Sequence, residues 1–597
     1  MNEPGDDPSD ELDPTLVLPD DPSIDGGERM VADAAAGESI EAYPRAGFAD
    51  PGGDARAAAD QAAKPGETSR GGLLRSSAVV GLGTGLSRLT GLLRVLALFY
   101  ALQFTRLTDA YNAANTAPNT IYELLLGGVL SATLIPVFVE ARERDDDDAI
   151  DAVVTMISIV LIMVTLAAIV FAPWIFRIYT SKPSLISVGV PLLRMFAPQV
   201  LFYGLTAVAT ALLNSRKRFA APAFAPILNN LVLIAILLQV HRLAGGVPTI
   251  EQVTHDTTLL LLLGFGTTAG IVAMTVVLWP AMRRAGIRLH ARFDWRNPAI
   301  RTVAQLSGWT FGYVIANQVA LVVVQRLAID SGDGHLSAYT FAFIFFQLPH
   351  GLLAVSLMTT YMPDLAALAN RHDLPGFRSK FMEGTRLLVL LVVPAAVGLA
   401  LLARPLMDGL LGVLGQTRST SADASTTADI LRMFAIGLPG FSIYLFTLRG
   451  FYALKDTRTP FLVNCFENAV NIAGALLLFP LLGIPGLALS FSIAYTLAAL
   501  LTLAIMSRRL GGLRGRQVGS TFARVLVVAA VVGAVTWVTA NQIGYATPNE
   551  AILACAVAGT AGIAVAIAGL WAMRIHEYND LRDAFRRGAG RGAVVSR

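Results

Sequence analysis

Charged residues and cysteines are both scarce in this chain of 597 residues, and each shortage excludes a class of protein. Only 15% of the residues are charged, whereas 54% are hydrophobic and the mean hydropathy is +0.58. A soluble domain of this composition would lack the polar surface to cover itself, so we predict a polytopic membrane protein. The two cysteines, Cys465 and Cys555, fall inside apolar runs, which favours packing residues over a disulfide or a metal site.

The sequence also lacks the motifs of common catalytic sites. It contains no His-Glu-x-x-His pattern, no Walker loop and no Ser/His/Asp grouping, so we expect no enzyme, no cofactor and no direct use of ATP. The acidic run from Asp145 to Asp148 could hold magnesium through hard oxygen ligands. Because Arg142 and Arg144 flank it and no second acidic cluster is near, we predict a solvated loop without metal.

The two ends of the chain are predicted to be cytoplasmic tails. Residues 1–70 are acidic and rich in Pro, Gly and Ala without an apolar period, so they are predicted to be disordered. They lack the pattern of a signal peptide. A docking role for a cytoplasmic regulatory protein is the alternative interpretation of this tail. Residues 575–597 form a basic tail, but the net charge of +3 is no argument for a nucleic-acid partner.

Between the tails, apolar runs of spanning length predict an all-α membrane domain of about fourteen helices. The runs are centred near residues 90, 124, 164, 201, 232, 269, 315, 351, 393, 441, 470, 496, 532 and 561. Arginine and lysine are concentrated in the loops that follow the even-numbered helices. By the positive-inside rule, these loops and both termini are cytoplasmic.

An internal repeat organises the membrane domain. The string Leu193-Arg-Met-Phe-Ala recurs 238 residues later at Leu431, and Lys217, Pro222 and Asn230 recur at the same offset as Lys455, Pro460 and Asn468. The strings are predicted to open helices 4 and 10, with Arg194 and Arg432 at the outer face. Helices six apart run in the same direction, so the repeats are parallel. We predict one lobe of helices 1–6 (residues 77–285), a second of helices 7–12 (299–510), and helices 13 and 14 (520–574) outside the duplication.

Two arginines of helix 1, Arg88 and Arg94, are candidates for binding an anion. Ionisable residues within a span face the bundle interior or a wet cavity by default, and guanidinium groups match the oxygens of phosphates. Six positions leave the two side chains roughly 120° apart on a straight helix, so they share a face only if Gly91 loosens the turn. The alternative is that Arg94 lies deep while Arg88 snorkels to the surface. Arg326 and Arg449 are further candidates for the cavity of the second lobe.

Helices 2 and 11 carry the remaining polar candidates. Asp109 suits the N-terminus of helix 2 on dipole grounds, and a gating ion pair with an arginine of helix 1 is the alternative. Pro118-Asn119 is expected to interrupt helix 2, which places Asn119 beside a substrate path. Helix 11 carries one polar stripe, predicted to be a cavity or ion site for a cation or a sugar headgroup, with hydrogen bonding between packed helices as the alternative. The stripe consists of Asn464, Glu467, Asn468 and Asn471.

Several separate motifs, in the same order, resemble the MurJ/MviN family of lipid II flippases. They are Leu86-Ser-Arg-Leu-Thr-Gly-Leu-Leu-Arg, Thr108-Asp-Ala-Tyr, Ala117-Pro-Asn, Ser131-Ala-Thr-Leu-Ile-Pro-Val-Phe, Leu212-Leu-Asn-Ser-Arg-Lys-Arg-Phe-Ala-Ala-Pro and Gly450-Phe-Tyr-Ala-Leu-Lys-Asp-Thr-Arg-Thr-Pro. The resemblance implies a MATE-like fold in a bacterial plasma membrane, and alternating-access export of lipid II, the undecaprenyl-pyrophosphate-linked peptidoglycan precursor, for cell-wall synthesis. It also matches Arg88 and Arg94 to arginines of a substrate cavity, Asp109 to an important acidic residue, and helices 13 and 14 to a groove for the lipid tail among membrane lipids.

The chain departs from the pattern of this family at several cavity positions. Tyr122-Glu123 stands where an arginine pair is common, Gly127 where a glutamate is usual, and Ile344 where an arginine is expected. The cavity is therefore predicted to be less cationic than usual. Two alternative functions follow, an ion-coupled small-molecule antiporter that uses Glu467, and a membrane scaffold that does not transport.

Overall fold

The computed structural model describes residues 70–126, 130–144, 146–294, 308–414, 420–512 and 515–572. Within these ranges all regular secondary structure is helical. The predicted terminal tails lie outside the described residues, except that Arg70 begins the first helix. Gly127, Gly128 and Asp145 are also outside them.

The first lobe contains six helical passes, several of them in two segments. They are α1 (Arg70–Leu102), α2 (Arg106–Leu126 and Leu130–Glu143), α3 (Asp147–Tyr179), α4 (Pro183–Phe196 and Gln199–Ser215), α5 (Ala220–Leu243) and α6 (Thr257–Val276 and Leu278–Arg284).

The second lobe has the same number of passes and is followed by two more helices. They are α7 (Gly308–Ser331), α8 (His335–Pro349, a π-helical turn His350–Ala354, and Val355–Asn370), α9 (Leu374–Val413), α10 (Thr420–Ala453), α11 (Arg458–Leu482), α12 (Ile484–Arg509), α13 (Gly515–Ile543) and α14 (Pro548–Ala572). Both α13 and α14 pack against α9 and against each other.

This architecture confirms the prediction of an all-α membrane protein of about fourteen helices. Thirteen candidate spans in the described residues are long and apolar enough to cross a membrane, and α2 is the pass that falls short. The polar residues of α2, such as Asn112 and Asn115, are buried within the bundle instead of facing lipid. The expected interruption at Pro118-Asn119 is wrong, because the first segment of α2 continues through Pro118 to Leu126.

The repeat is visible in identical turns at the ends of α4 and α10. Lys217 and Lys455 both adopt a left-handed backbone, with φ of 57° and 59°. In each turn the next residue donates its N–H to the carbonyl five residues back, from Arg218 to Leu213 and from Asp456 to Phe451, both at 2.9 Å. These bonds are those of a helix C-cap in which a left-handed residue ends the helix.

The repeated string is a helix-packing element of both lobes. The carbonyl of Met195 accepts a hydrogen bond from Thr268 Oγ1 on α6 at 2.7 Å. Its counterpart Met433 accepts one from Ser492 Oγ on α12 at 2.6 Å. The prediction that the strings open α4 and α10 is wrong, because α4 begins at Pro183 and α10 at Thr420. Arg194 and Arg432 therefore lie inside their helices, at positions that the apolar pattern alone placed at the start.

Candidate functional site

The two lobes meet through a buried carboxylate at the end of the bundle where α1 ends and α2 begins, which we call the α1–α2 end. Asp109 of α2 is 2% exposed. Its oxygens accept hydrogen bonds from Gly334 N (2.7 Å), Ser337 N (2.9 Å) and Ser337 Oγ (2.6 Å). Gly334 is the N-cap of α8. Asp109 thus occupies the N-terminus of a helix in the other lobe, where unpaired N–H groups and the helix dipole favour an anion.

Asp109 lies in the first turn of α2, as predicted on dipole grounds, but its carboxylate is not paired with an arginine of α1. Thr105 caps α2 itself, because its Oγ1 accepts from Thr108 N at 3.3 Å. The partners of the Asp109 carboxylate lie on α8 instead of being arginines of α1. We call this set of bonds between Asp109, Gly334 and Ser337 the α2–α8 latch. Ser337 and Gly334 were missed by sequence analysis, since nothing local distinguishes them from other helix starts.

Close approach of the lobes at the latch requires glycine at position 334. Gly334 has a φ of +76°, which disfavours any residue with a side chain. A Cβ atom there would also lie 2.3 Å from the carbonyl oxygen of Phe104, in the turn between α1 and α2. A surface ion pair between Arg106 and Asp333, at 2.6 Å, flanks the contact.

A second contact between the lobes joins α3 and α7 at the same end. Arg326 of α7 donates to Ile178 O at 3.1 Å, near the C-terminus of α3. Lys182, just after α3, donates to Ile329 O of α7 at 2.7 Å. Each cation satisfies a carbonyl that the end of a helix leaves unpaired. Arg326 therefore binds α3 of the first lobe. The expectation that it lies in the cavity of the second lobe is wrong.

Polar residues of α2 continue the contact with α7 towards the middle of the bundle. Gln325 Nε2 donates to Thr116 Oγ1 at 3.4 Å, and Thr120 Oγ1 donates to Gln318 Oε1 at 3.0 Å. Asn119 precedes Thr120 and is half-buried. The predicted site residue Asn119 therefore lies next to this seam between α2 and α7.

Arg88 and Arg94 face different surroundings. Arg94 is 5% exposed and interacts electrostatically with Tyr111 of α2 and Tyr203 of α4. The hydroxyl of Thr267 donates a hydrogen bond to Leu263 O (2.6 Å), so towards Tyr111 it acts as the acceptor. The hydroxyl of Tyr111 therefore donates to Thr267, and its own lone pairs remain available to the guanidinium of Arg94.

Arg88 is exposed and extends towards the second lobe. Its Nη1 lies 3.6 Å from where a Cβ atom on Gly351 would be, in the π-helical turn of α8. Of the two predicted anion ligands, Arg88 is the one that lies close to α8 of the second lobe. Arg94 is buried within the first lobe, as the alternative interpretation had it.

The polar stripe of α11 binds neighbouring helices of its own lobe. Asn464 Nδ2 and Asn468 Nδ2 both donate to Asn317 Oδ1 of α7, at 3.0 and 2.8 Å. Asn471 Oδ1 accepts from Ser490 Oγ of α12 at 3.1 Å. Three members of the stripe thus make the interhelical hydrogen bonds of the alternative interpretation.

Glu467, the fourth member of the stripe, has a different environment. Its side chain is 0% exposed, and neither carboxylate oxygen has a hydrogen-bond partner among the described residues. Tyr313 and Tyr444 lie close enough to interact with it electrostatically. An ionised carboxylate in such a place is very costly unless a proton or a cation neutralises it.

The acidic run at the start of α3 has a structural role. Asp146 Oδ1 accepts from Ala149 N at 2.9 Å as the N-cap of α3, and Asp148 pairs with Arg292. Across the described part of the chain, no group of three or more His, Cys, Asp and Glu side chains is placed to hold a metal ion.

Comparison with known proteins finds one family repeatedly. A family model described as "Lipid II flippase MurJ" matches residues 99–551. The "Probable lipid II flippase MurJ" of Rhizobium meliloti is 28% identical over 542 residues, which cover 88% of this chain and 97% of the relative. The "Lipid II flippase MurJ" of Burkholderia cenocepacia is 27% identical over 450 residues, or 73% of this chain and 84% of the relative.

Solved structures give the same fold. A "Lipid II flippase MurJ, inward closed conformation" aligns with a TM-score of 0.67 at 21% identity, covering 85% of this chain and all of that one. An inward-facing MATE-family multidrug transporter of the MOP superfamily aligns with a TM-score of 0.59 at 13% identity, covering 71% and 94%.

Proposed function

Because the chain belongs to the lipid II flippase MurJ family, we propose that it moves lipid II from the inner to the outer leaflet of a bacterial plasma membrane by alternating access. The observation that carries this proposal is the α2–α8 latch, which joins the lobes through a few breakable polar bonds at one end of the bundle. Rocking of one lobe against the other can break such bonds and open that end.

The direction of transport follows from the orientation of the chain. With both termini in the cytoplasm, as the positive-inside rule predicts, the α1–α2 end lies at the outer face. The described conformation is then closed outside, and the headgroup enters between the lobes from the cytoplasm. A bare charge in the hydrocarbon core costs about 3 kcal/mol or more, and a water-filled path between the lobes removes most of that cost.

Arg88 is the residue best placed to receive the diphosphate in this state. It lies on α1, is exposed, and reaches towards Gly351 of α8. A forked guanidinium binds phosphate oxygens with two parallel hydrogen bonds. Arg94 would raise the positive potential from within the first lobe. The isoprenoid tail would remain in lipid along α13 and α14, which pack on α9.

Complementation tests this function. The native flippase of a host bacterium is depleted, the chain is expressed, and exposure of lipid II at the outer leaflet is assayed. We expect wild type to restore exposure and Arg88→Gln and Arg94→Gln to reduce it severely. Arg177→Gln, at an exposed arginine in the last turn of α3, is the control and should act as wild type. A well-expressed wild type that never restores exposure would refute the proposal.

The partner of residues 1–70 is tested in the same assay. A version without them should still expose lipid II if the tail serves regulation by a cytoplasmic protein. Loss of exposure with normal expression would show that the tail is part of the transport machinery instead.

Glu467 favours a second candidate function, in which the stripe of α11 is an ion site. Its buried carboxylate needs a proton or a cation, and movement of that ion could drive the lobes in lipid transport or in an antiporter. Glu467→Gln removes the charge with the same shape. We expect it to fold normally and to lose any dependence of transport on the proton or sodium gradient. Unchanged ion dependence in Glu467→Gln would remove the stripe from the coupling mechanism.

A further inference from the structure

One more contact is repeated inside both lobes, between the fifth and the first helix of each lobe. Asn230 of α5 donates from Nδ2 to Ser87 O (3.3 Å) and Thr90 Oγ1 (3.1 Å) of α1. Its repeat counterpart Asn468 donates from Nδ2 to Asn317 Oδ1 of α7 at 2.8 Å. Both asparagines are buried. The repeated asparagine therefore fastens the first helix of its own lobe in both halves of the molecule.

On α1 this bond acts at a weak point of the helix. Ser87 O is the carbonyl that the N–H of Gly91 faces in an α-helix. Thr90 Oγ1 also lies within hydrogen-bond distance of it (3.1 Å) and of Leu86 O (2.9 Å). Side-chain donors that share backbone carbonyls, together with a glycine, are causes of helix bending. The rotation of α1 about its axis at this turn thus depends on the hydrogen bonds that Ser87 O and Thr90 Oγ1 accept from Asn230.

The fastened turn lies between the two candidate anion ligands. Ser87 and Thr90 bracket Arg88, and Arg94 follows one turn later. Arg88 faces α8 of the second lobe, whereas Arg94 faces Tyr111 and Tyr203 within the first. A rotation of α1 would turn both arginines away from these surroundings at once.

We propose that Asn230 is a positioning residue for substrate recognition, which sets the rotation of α1 so that Arg88 points into the space between the lobes. The proposal rests on the proposed function for the identity of the ligand, a lipid diphosphate. The hydrogen bonds of Asn230 go to Ser87 and Thr90, so it acts on the arginines through this turn of α1. Its amide suits the role because it offers two N–H donors, one for each acceptor.

The neighbouring residue provides a matched control. Asn229 is the same residue type on the same helix and is 8% exposed, against 6% for Asn230. It faces α6, since a Cβ atom on Gly270 would lie 2.5 Å from Asn229 Oδ1. Asn229→Ala and Asn230→Ala therefore remove equal side chains from the core of the first lobe, but only the second releases α1.

The first measurement is the distance between the lobes at the site. Spin labels are attached to cysteines at Leu89 and Leu352, both exposed and adjacent to Arg88 and Gly351, with Cys465 and Cys555 replaced by alanine. We expect Asn230→Ala to shift or broaden the distance distribution and Asn229→Ala to leave it unchanged. An unchanged distribution in a folded Asn230→Ala protein would overturn the proposal.

The second measurement is the affinity of the full chain in lipid nanodiscs for undecaprenyl pyrophosphate. Asn230→Ala, which removes the hydrogen bonds to Ser87 O and Thr90 Oγ1, should weaken binding about five- to tenfold, while Asn229→Ala binds as wild type. Equal weakening by both variants would reduce Asn230 to a packing residue. If wild type itself does not bind the lipid, the proposed function fails, and the label distances still decide whether Asn230 sets α1.

Thr90→Val provides an independent variant in case Asn230→Ala does not fold. It removes the acceptor of the same bond with little change of shape. It should reproduce the distance change, and in the double variant the two effects should not add, because both act on one contact. Additive effects would mean that Asn230 acts elsewhere, which contradicts the proposal.

Discussion

At the scale of single residues, burial and hydrogen bonding separate side chains that look alike in the sequence. Asp109 and Glu467 are both carboxylates within apolar surroundings. Asp109 receives three donors at the N-terminus of α8, so both of its oxygens have hydrogen-bond partners. Glu467 has no hydrogen-bond donor in the described chain and needs an ion from outside. The first is thus suited to a latch and the second to an ion site.

Asp109→Asn should weaken the latch and shift the lobes towards opening at the α1–α2 end. The two Asp109 oxygens accept from both residues of α8, whereas asparagine presents one oxygen and one N–H₂ group, so a donor of α8 is left unpaired at a cost of about 1–3 kcal/mol. Distances between spin labels at exposed Ser184 and Asp330 would report the opening.

Asp333→Asn is the control for this prediction. It breaks only the exposed ion pair with Arg106, which is worth about 0–1 kcal/mol. We expect little change in the same distances. If Asp333→Asn opened the lobes as much as Asp109→Asn does, general surface charge and not the latch would hold them together.

At the scale of elements, helix ends are where the lobes are joined. The N-terminus of α8 donates hydrogen bonds to a carboxylate of α2, and carbonyls at the C-terminal ends of α3 and α7 each accept a hydrogen bond from a cation of the other lobe. Hydrogen bonds to the free N–H and C=O groups of a helix end are strong and directional. Once these groups are exposed, hydrogen bonds to water replace them at small cost. Contacts of this kind can hold one conformation and still release it.

Gly334→Ala should disrupt the start of α8 more than its backbone strain alone would. The control is Gly245→Ala, because Gly245 has a similar φ of +71° and no atom within 4 Å of an added Cβ. Each substitution has a strain cost of about 1–3 kcal/mol, and only Gly334→Ala also presses on Phe104 O. The temperature of thermal unfolding in detergent should therefore fall further for Gly334→Ala than for Gly245→Ala. Equal drops would mean that the lobes are not tightly apposed there.

At the scale of the whole molecule, two lobes of the same design face each other, with α1, α2 and α3 of the first lobe against α7 and α8 of the second. The repeated turns at Lys217 and Lys455, and the repeated bonds to Met195 and Met433, give both lobes the same internal framework. Each lobe is therefore able to move as a unit while the contacts between lobes change.

Chemical cross-linking of the lobes at the α1–α2 end should block transport. A bifunctional maleimide would join Arg106→Cys to Asp333→Cys, whose native side chains lie 2.6 Å apart. The control pair, Thr459→Cys and Arg509→Cys, lies within the second lobe, where Arg509 donates to Thr459 at 3.3 Å. Lipid II exposure should stop only for the first pair. Continued transport with the lobes fully cross-linked would exclude opening at this end.

The sequence by itself determined the number and order of the helices and the family of the chain. Apolar runs of spanning length can satisfy their backbone in a membrane only as helices, and a repeated string shows common design without any knowledge of packing. Tertiary structure alone decided the partner of Asp109, the different surroundings of Arg88 and Arg94, and the bonds of the α11 stripe. These contacts join residues on different helices and, for the latch, 225 and 228 positions apart. They depend on how the helices and lobes dock, which no local pattern of residues encodes.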